Sequence, residues 1–265
     1  LVVGIYIGLG LIASVIGWSV LQVLRGVEVI PTTLSLRWSL NTDQKSVLEK
    51  HFRFYSHLPS KSKRIFEARV ARFISLKEFV PRHMPEVTEE MKLLIASSAI
   101  QITFGFPGVF LSYFKYIIVF PDQFLSNEGK RYHKGEVNPK ARAIALSWRH
   151  FVEGYASSEG VNLGLHEMAH ALQLENIVVN KEFDFLSSEA INSWLELADK
   201  EIIRLRQNTE SIFRGYGATN QEEFFAVAVE LFFERPKDFQ SYNEHLYKAL
   251  SNVLRQDPIH LYEEL

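Results

Sequence analysis

His166-Glu167-Met168-Ala169-His170 places two imidazoles and a carboxylate within one helical turn. Residues i and i+4 share a helix face, so both imidazoles can hold a single metal ion. Neutral imidazole suits Zn²⁺, and two protein nitrogens leave room for a third ligand and a water. Glu167, beside the first ligand, can reach that water and take its proton. The flanking residues Leu163, Leu165, Ala171, Leu172 and Leu174 are apolar, and no proline interrupts the run. An ordinary amphipathic helix could carry the same three polar residues. A helix this apolar is expected to be buried, however, and buried polar groups need partners. A metal ion supplies one.

The third ligand must come from elsewhere. A histidine six residues after the motif would complete H-E-x-x-H-x-x-G-x-x-H, but position 173 is Gln and position 176 is Asn. A carboxylate from a later helix is the alternative, and the segment Thr219 to Glu234 stands out. Thr219-Asn220-Gln221-Glu222 has the form of a capping box, which gives Glu222 a local structural job. Phe224-Phe225-Ala226-Val227-Ala228-Val229 is apolar on every side, as in a buried helix. Glu223 and Glu230 lie two turns apart on one stripe of that helix. Buried carboxylates are costly unless paired or bound to metal. One is therefore read as the third ligand and the other as an acceptor for a ligating imidazole. The alternative is that both emerge at a solvent edge.

The run Tyr216-Gly217-Ala218-Thr219-Asn220-Gln221-Glu222-Glu223-Phe224-Phe225-Ala226-Val227 resembles the second motif of the MtfA-like zinc peptidases, a gluzincin family. Tyr116-Ile117-Ile118-Val119-Phe120-Pro121, Ile144-Ala145-Leu146-Ser147-Trp148 and the lead-in Asn162-Leu163 match further segments, so the resemblance covers roughly residues 40 to 250. It implies one Zn²⁺ held by His166, His170 and Glu223, with Glu167 as general base. It also implies Tyr216 as the catalytic tyrosine that stabilises an oxyanion, and it leaves Glu230 as the candidate acceptor for a ligating imidazole. A turn tyrosine between Gly215 and Gly217 is the plainer reading of Tyr216. The family usually has an acid where this chain has Gln173, which touches local tuning rather than metal binding. The resemblance leans towards aminopeptidase activity on short peptides.

These groups need a scaffold. Apolar spacing predicts helices over 41–55, 61–73, 88–104, 162–174, 187–207 and 219–234, with another after Pro236. Strands are expected over 116–120 and 143–148, and a turn or short hairpin over 124–137. The strand at 143–148 reads either as the edge that binds extended substrate or as a plain internal strand. The expected fold is α+β and zincin-like, mostly helical with a small mixed sheet.

Leu1 to Leu24 carries no charged residue, and a helix of that length spans roughly 36 Å, enough for a bilayer core. Tyr6 and Trp18 suit its interfaces. The expected organisation is a transmembrane helix over 1–24, a connector over 25–40 and one peptidase domain over 41–265. The peptidase domain is expected on the cytoplasmic side of an inner membrane, because soluble members of the resembling family work there. A formal net charge of −2 offers no electrostatic case for nucleic acid. The absence of cysteine excludes disulfides and thiolate metal sites. The leading expectation is a membrane-anchored, zinc-dependent peptidase acting on a peptide or protein substrate. The alternative is a regulatory binding protein that sequesters a transcription factor or other protein partner with little or no turnover.

Overall fold

The computed structural model describes residues 38–126, 131–156, 160–178, 185–207 and 209–263. Local signals set many of the helix starts. Asn41 caps α1 (Thr42–His51) by accepting from Gln44 N, and the Gln44 side chain accepts from Asn41 N in return. The chain breaks at Phe52 into a short α2 (Arg53–Ser56) and then α3 (Ser60–Leu76). After β1 (Glu78–Pro81), Thr88 caps α4 (Glu89–Thr103) through Met91 N.

Five strands follow: β2 (Tyr116–Phe120), β3 (Phe124–Leu125), β4 (Tyr132–His133), β5 (Gly135–Asn138) and β6 (Ala143–Ser147). The main sheet has the order β1-β2-β6-β5; β1 and β6 run parallel to β2, and β5 pairs antiparallel with β6. Strands β3 and β4 form a separate two-stranded hairpin. β6 is buried at every position, so it is the internal strand of the two readings. The edge beside the cleft is β5, within and just beyond the segment expected to be a turn. Its Gly135-Glu136-Val137-Asn138 sequence has little strand propensity, and pairing with β6 overrides that preference. β1 and the helix α5 (Trp148–Ala156) have no counterpart in the sequence expectations.

The remaining helices are α6 (Leu163–Val178), α7 (Ser188–Arg206), α8 (Gln221–Glu234), α9 (Pro236–Tyr242), α10 (Glu244–Leu254) and α11 (Pro258–Glu263). α4 is buried continuously from Leu93 to Thr103 and packs between α3 and α6, and α8 packs against α6. Phe66 lies against Phe52, Phe54 and Phe104, with ring centroids 6.0, 5.7 and 6.1 Å away. Each such buried side chain contributes about 1.5–3 kcal/mol of transfer free energy. The buried Arg69 donates to the carbonyls of Thr103, Phe104 and Phe106, satisfying the C-terminal end of α4.

The α+β part of the expectation stands: the described fold is mostly helical with a small mixed sheet. The membrane part is corrected. Among the described residues no helix is long and apolar enough to cross a membrane. The most apolar helices, α6 and α8, have 16 and 14 residues and pack against each other in the core. The segment Leu1–Leu24, which alone carried the expectation, lies outside the described residues, as does most of the connector over 25–40. Freedom from charge is a local property that an anchor, a signal segment and a core helix all share, so it decides none of them.

Candidate metal centre

Helix α6 begins at Asn162, whose side chain accepts from Leu165 N while its carbonyl accepts from His166 N. The apolar residues Leu165, Met168, Ala169, Ala171 and Leu172 are buried in the core. That packing turns His166 and His170 to the opposite side. Helix α8 lies against this side. Its cap is Asn220, which accepts from Glu223 N at 2.7 Å, and not the Thr219–Glu222 box. The shift of one residue matters. It places Glu223 at the third position of α8, facing α6, and leaves Glu222 exposed without the capping job expected of it.

Glu223, Glu230 and Glu234 are spaced by seven and four residues, so they form one stripe along α8. Glu230 is 1% exposed. Its carboxylate accepts from His166 Nδ1 at 2.8 Å, from Asn162 N and from Arg214 Nη2. Glu234 accepts from Asn162 Nδ2 at 2.9 Å. These two carboxylates fix the start of α6 and the orientation of the first imidazole.

With His166 Nδ1 donating to Glu230, its Nε2 carries a lone pair. That atom lies 3.2 Å from His170 Nε2 and 3.3 Å from Glu223 Oε2, and the third side of the triangle is 3.5 Å. Ligands on a tetrahedral zinc ion at 2.0–2.1 Å are separated by about 3.4 Å. Glu223 Oε2 is buried and has no hydrogen-bond donor. With both imidazoles neutral and protonated at Nδ1, three acceptors converge in a partly buried site that a single cation would satisfy, so the residues present fit the ion. Burial alone would lower the His166 pKa, but the Glu223 and Glu230 carboxylates outweigh it and raise it to about 10, so a proton takes the place on Nε2 that a bound cation would fill. The same imidazoles hold Glu223 well below the usual carboxylate range, against its own desolvation. His166, His170 and Glu223 form a site for one Zn²⁺ ion.

Glu167 is 5% exposed, and burial pushes its carboxyl up to about 7. Tyr216 sits in a single 3₁₀ turn (Gly215–Ala218), half-exposed, with its ring centroid 6.1 Å from that of His166. Burial and the neighbouring Glu223 raise its hydroxyl to about 12. On one side of the centre opens a cavity of about 450 Å³ lined by Lys134, His150 and Arg214. On the other lies one of about 640 Å³ lined by Leu174, Leu186, Ile191, Trp194, Leu195 and Phe225. Gln173 lines the apolar side, and its Oε1 is buried without a donor. Sequence reasoning missed Arg214, read Gly135 only as part of a turn or short hairpin, and gave Asn162 no chemical role. Only Asn162, just before the H-E-x-x-H helix, had a usable signal, that of a cap.

A small mixed sheet beside an H-E-x-x-H helix, with a distal glutamate closing the ligand triangle, defines a zinc metallopeptidase of zincin-like type. The model of the glucose-regulated metallo-peptidase M90 family matches residues 33–255, and the chain belongs to that family. Among its relatives, an uncharacterized protein of Synechocystis sp. is 24% identical over 95% of this chain and 95% of its own length. Mlc titration factor A of Edwardsiella ictaluri is 24% identical over 72% of this chain and 77% of that protein. Mlc titration factor A of Salmonella arizonae is 30% identical over a shorter stretch, 43% of this chain and 48% of that protein.

These relatives also correct the expected function. Those with a stated role are named for titrating Mlc and not as membrane-anchored peptidases, and no described helix crosses a membrane. The membrane-anchored peptidase, its inner-membrane location, its membrane partner and its aminopeptidase leaning give way to the regulatory alternative. The metal site could not have signalled this, because one ligand set serves a peptidase in any setting.

Proposed function

We propose that this zinc metallopeptidase works as a regulatory protein, which binds a partner of the transcription-regulator class and withholds it from its target. The observation that carries this reading is the similarity to Mlc titration factor A, which in one case extends over 72% of the chain. Among the described residues the outer edge of β5 is unpaired, and β5 lines the cleft, which suits an extended segment of such a partner, held by main-chain hydrogen bonds.

The metal centre gives that protein its chemistry. His166, His170 and Glu223 hold the ion, and Glu230 keeps His166 in the tautomer that presents Nε2. Zinc, when bound there, would supply Lewis acidity towards a peptide carbonyl and a more acidic water. Glu167, poised by burial, accepts a proton and returns it to the leaving amine. Tyr216 donates its hydroxyl proton in a hydrogen bond to the developing oxyanion.

Two measurements test this reading. Titrating the full chain against purified Mlc should give a stable complex, and Glu167→Gln should form it equally. No interaction between the two proteins would overturn the regulatory reading. On fluorogenic peptides, Glu167→Gln should keep its zinc and lose about 10²–10⁴-fold in kcat. An unchanged rate would remove Glu167 as the base.

A further inference from the structure

Glycine is unremarkable at most turns, but Gly135 opens a strand. A Cβ built there would fall less than 3.0 Å from Glu167 Oε1, Cδ and Cγ, a separation that real Cβ atoms essentially never show. The carboxyl of Glu167 thus occupies the volume that any side chain at position 135 would need. Neither backbone can yield. Gly135 pairs with Leu146 on the fully buried β6, and the adjacent Lys134 carbonyl accepts from Ser147 N at 2.7 Å. On the other side, Met168 and Ala169 tie the backbone of Glu167 into the core. The Glu167 side chain is the one group free to move.

We infer that Gly135 is a positioning residue: by carrying no side chain it lets the edge strand close over Glu167 and confines that carboxyl beside the two metal-binding imidazoles. A strand bearing any other residue would push the carboxyl into one of the two cavities that flank the centre. The strand edge and the proton-carrying group are therefore set in register by one missing methyl group. The inference concerns geometry, but its catalytic consequence rests on the reading of Glu167 as the base. A misplacement of about 1 Å is enough to lower a rate about a hundredfold.

A double-mutant cycle between Gly135→Ala and Glu167→Ala, with Gly108→Ala as a control, tests it on the zinc-loaded full chain. A Cβ at Gly108 meets nothing within 4 Å. Thermal melting should show Gly135→Ala lowering Tm in the parent protein but scarcely at all once residue 167 is Ala, because the opposing atoms are gone. Turnover of a peptide should fall about a hundredfold in kcat for Gly135→Ala, with KM and zinc content unchanged. Equal loss of Tm in both backgrounds, or failure of both the single and the double variant to fold, would show that Gly135 opposes something other than Glu167 and would overturn the proposal. Full kcat in Gly135→Ala would do the same. If the parent protein itself hydrolyses no peptide, the enzymatic reading fails while the melting cycle still decides the role of Gly135.

Discussion

The two ends of helix α6 bury charge in opposite ways. Near its C-terminus, Glu175 accepts from Tyr113 N, Lys77 donates to the carbonyls of Leu111 and Phe114, and Arg142 donates to Tyr113 O. Donors meet acceptors and positive groups face a negative one. Burial raises the Glu175 pKa and lowers that of Lys77 to about 8, yet each has partners within the protein. Near the N-terminus, His166 Nε2, His170 Nε2 and Glu223 Oε2 converge within 3.5 Å, three acceptors when the imidazoles are neutral. The first cluster is complete without a ligand, and the second is complete only with a cation. A buried charge network is therefore no sign of function by itself. The sign is a mismatch between donors and acceptors that one ion would repair.

That contrast can be broken experimentally, starting where the effect is largest. Glu223→Ala removes one side of the ligand triangle and should weaken zinc binding more than a hundredfold, whereas Glu175→Gln at the closed end should leave zinc content unchanged while lowering Tm. Metal analysis and melting curves separate the two, and equal zinc in both variants would erase the distinction. Glu230→Gln keeps the shape of the side chain but loses the charge that His166 and Arg214 face. It should lower zinc affinity about 10–100-fold, less than loss of a ligand. A smaller loss from Glu223→Ala than from Glu230→Gln would reassign the third ligand.

The smallest effect concerns Glu234, which burial raises from its ordinary 4.5 to about 7. The folded protein then holds a proton that the unfolded chain has released, so this group costs stability as pH rises through that window. The penalty is absent below 4.5 and complete above 7. Glu234→Gln should therefore raise stability by on the order of 2 kcal/mol at pH 8 and change little at pH 4. Equal melting-temperature shifts at both values would show that Glu234 is not proton-linked to folding.

Much of the scaffold was legible because long apolar periods and side-chain caps are local. α4, α7 and the strand β2 lie close to where periodicity and propensity put them. β1, β5 and α5 were not legible, since short elements carry too few residues for a period to show and depend on their neighbours for pairing. The capping signal at Thr219 was misread by one residue because Asn220 is an equally good cap. Only the packing of α8 against α6 chose between them.

The chemistry of the centre followed from the sequence alone: two imidazoles and a carboxylate in one turn, with acids spaced along a second apolar helix, demand a metal because burial forbids leaving them unpaired. The tertiary structure decided which acid faces which imidazole, that Arg214 and Asn162 complete the surroundings of Glu230, and that the backbone of Gly135 lies against Glu167. Such choices depend on how elements far apart in the chain come together, and residue spacing within one element holds no information about that distance.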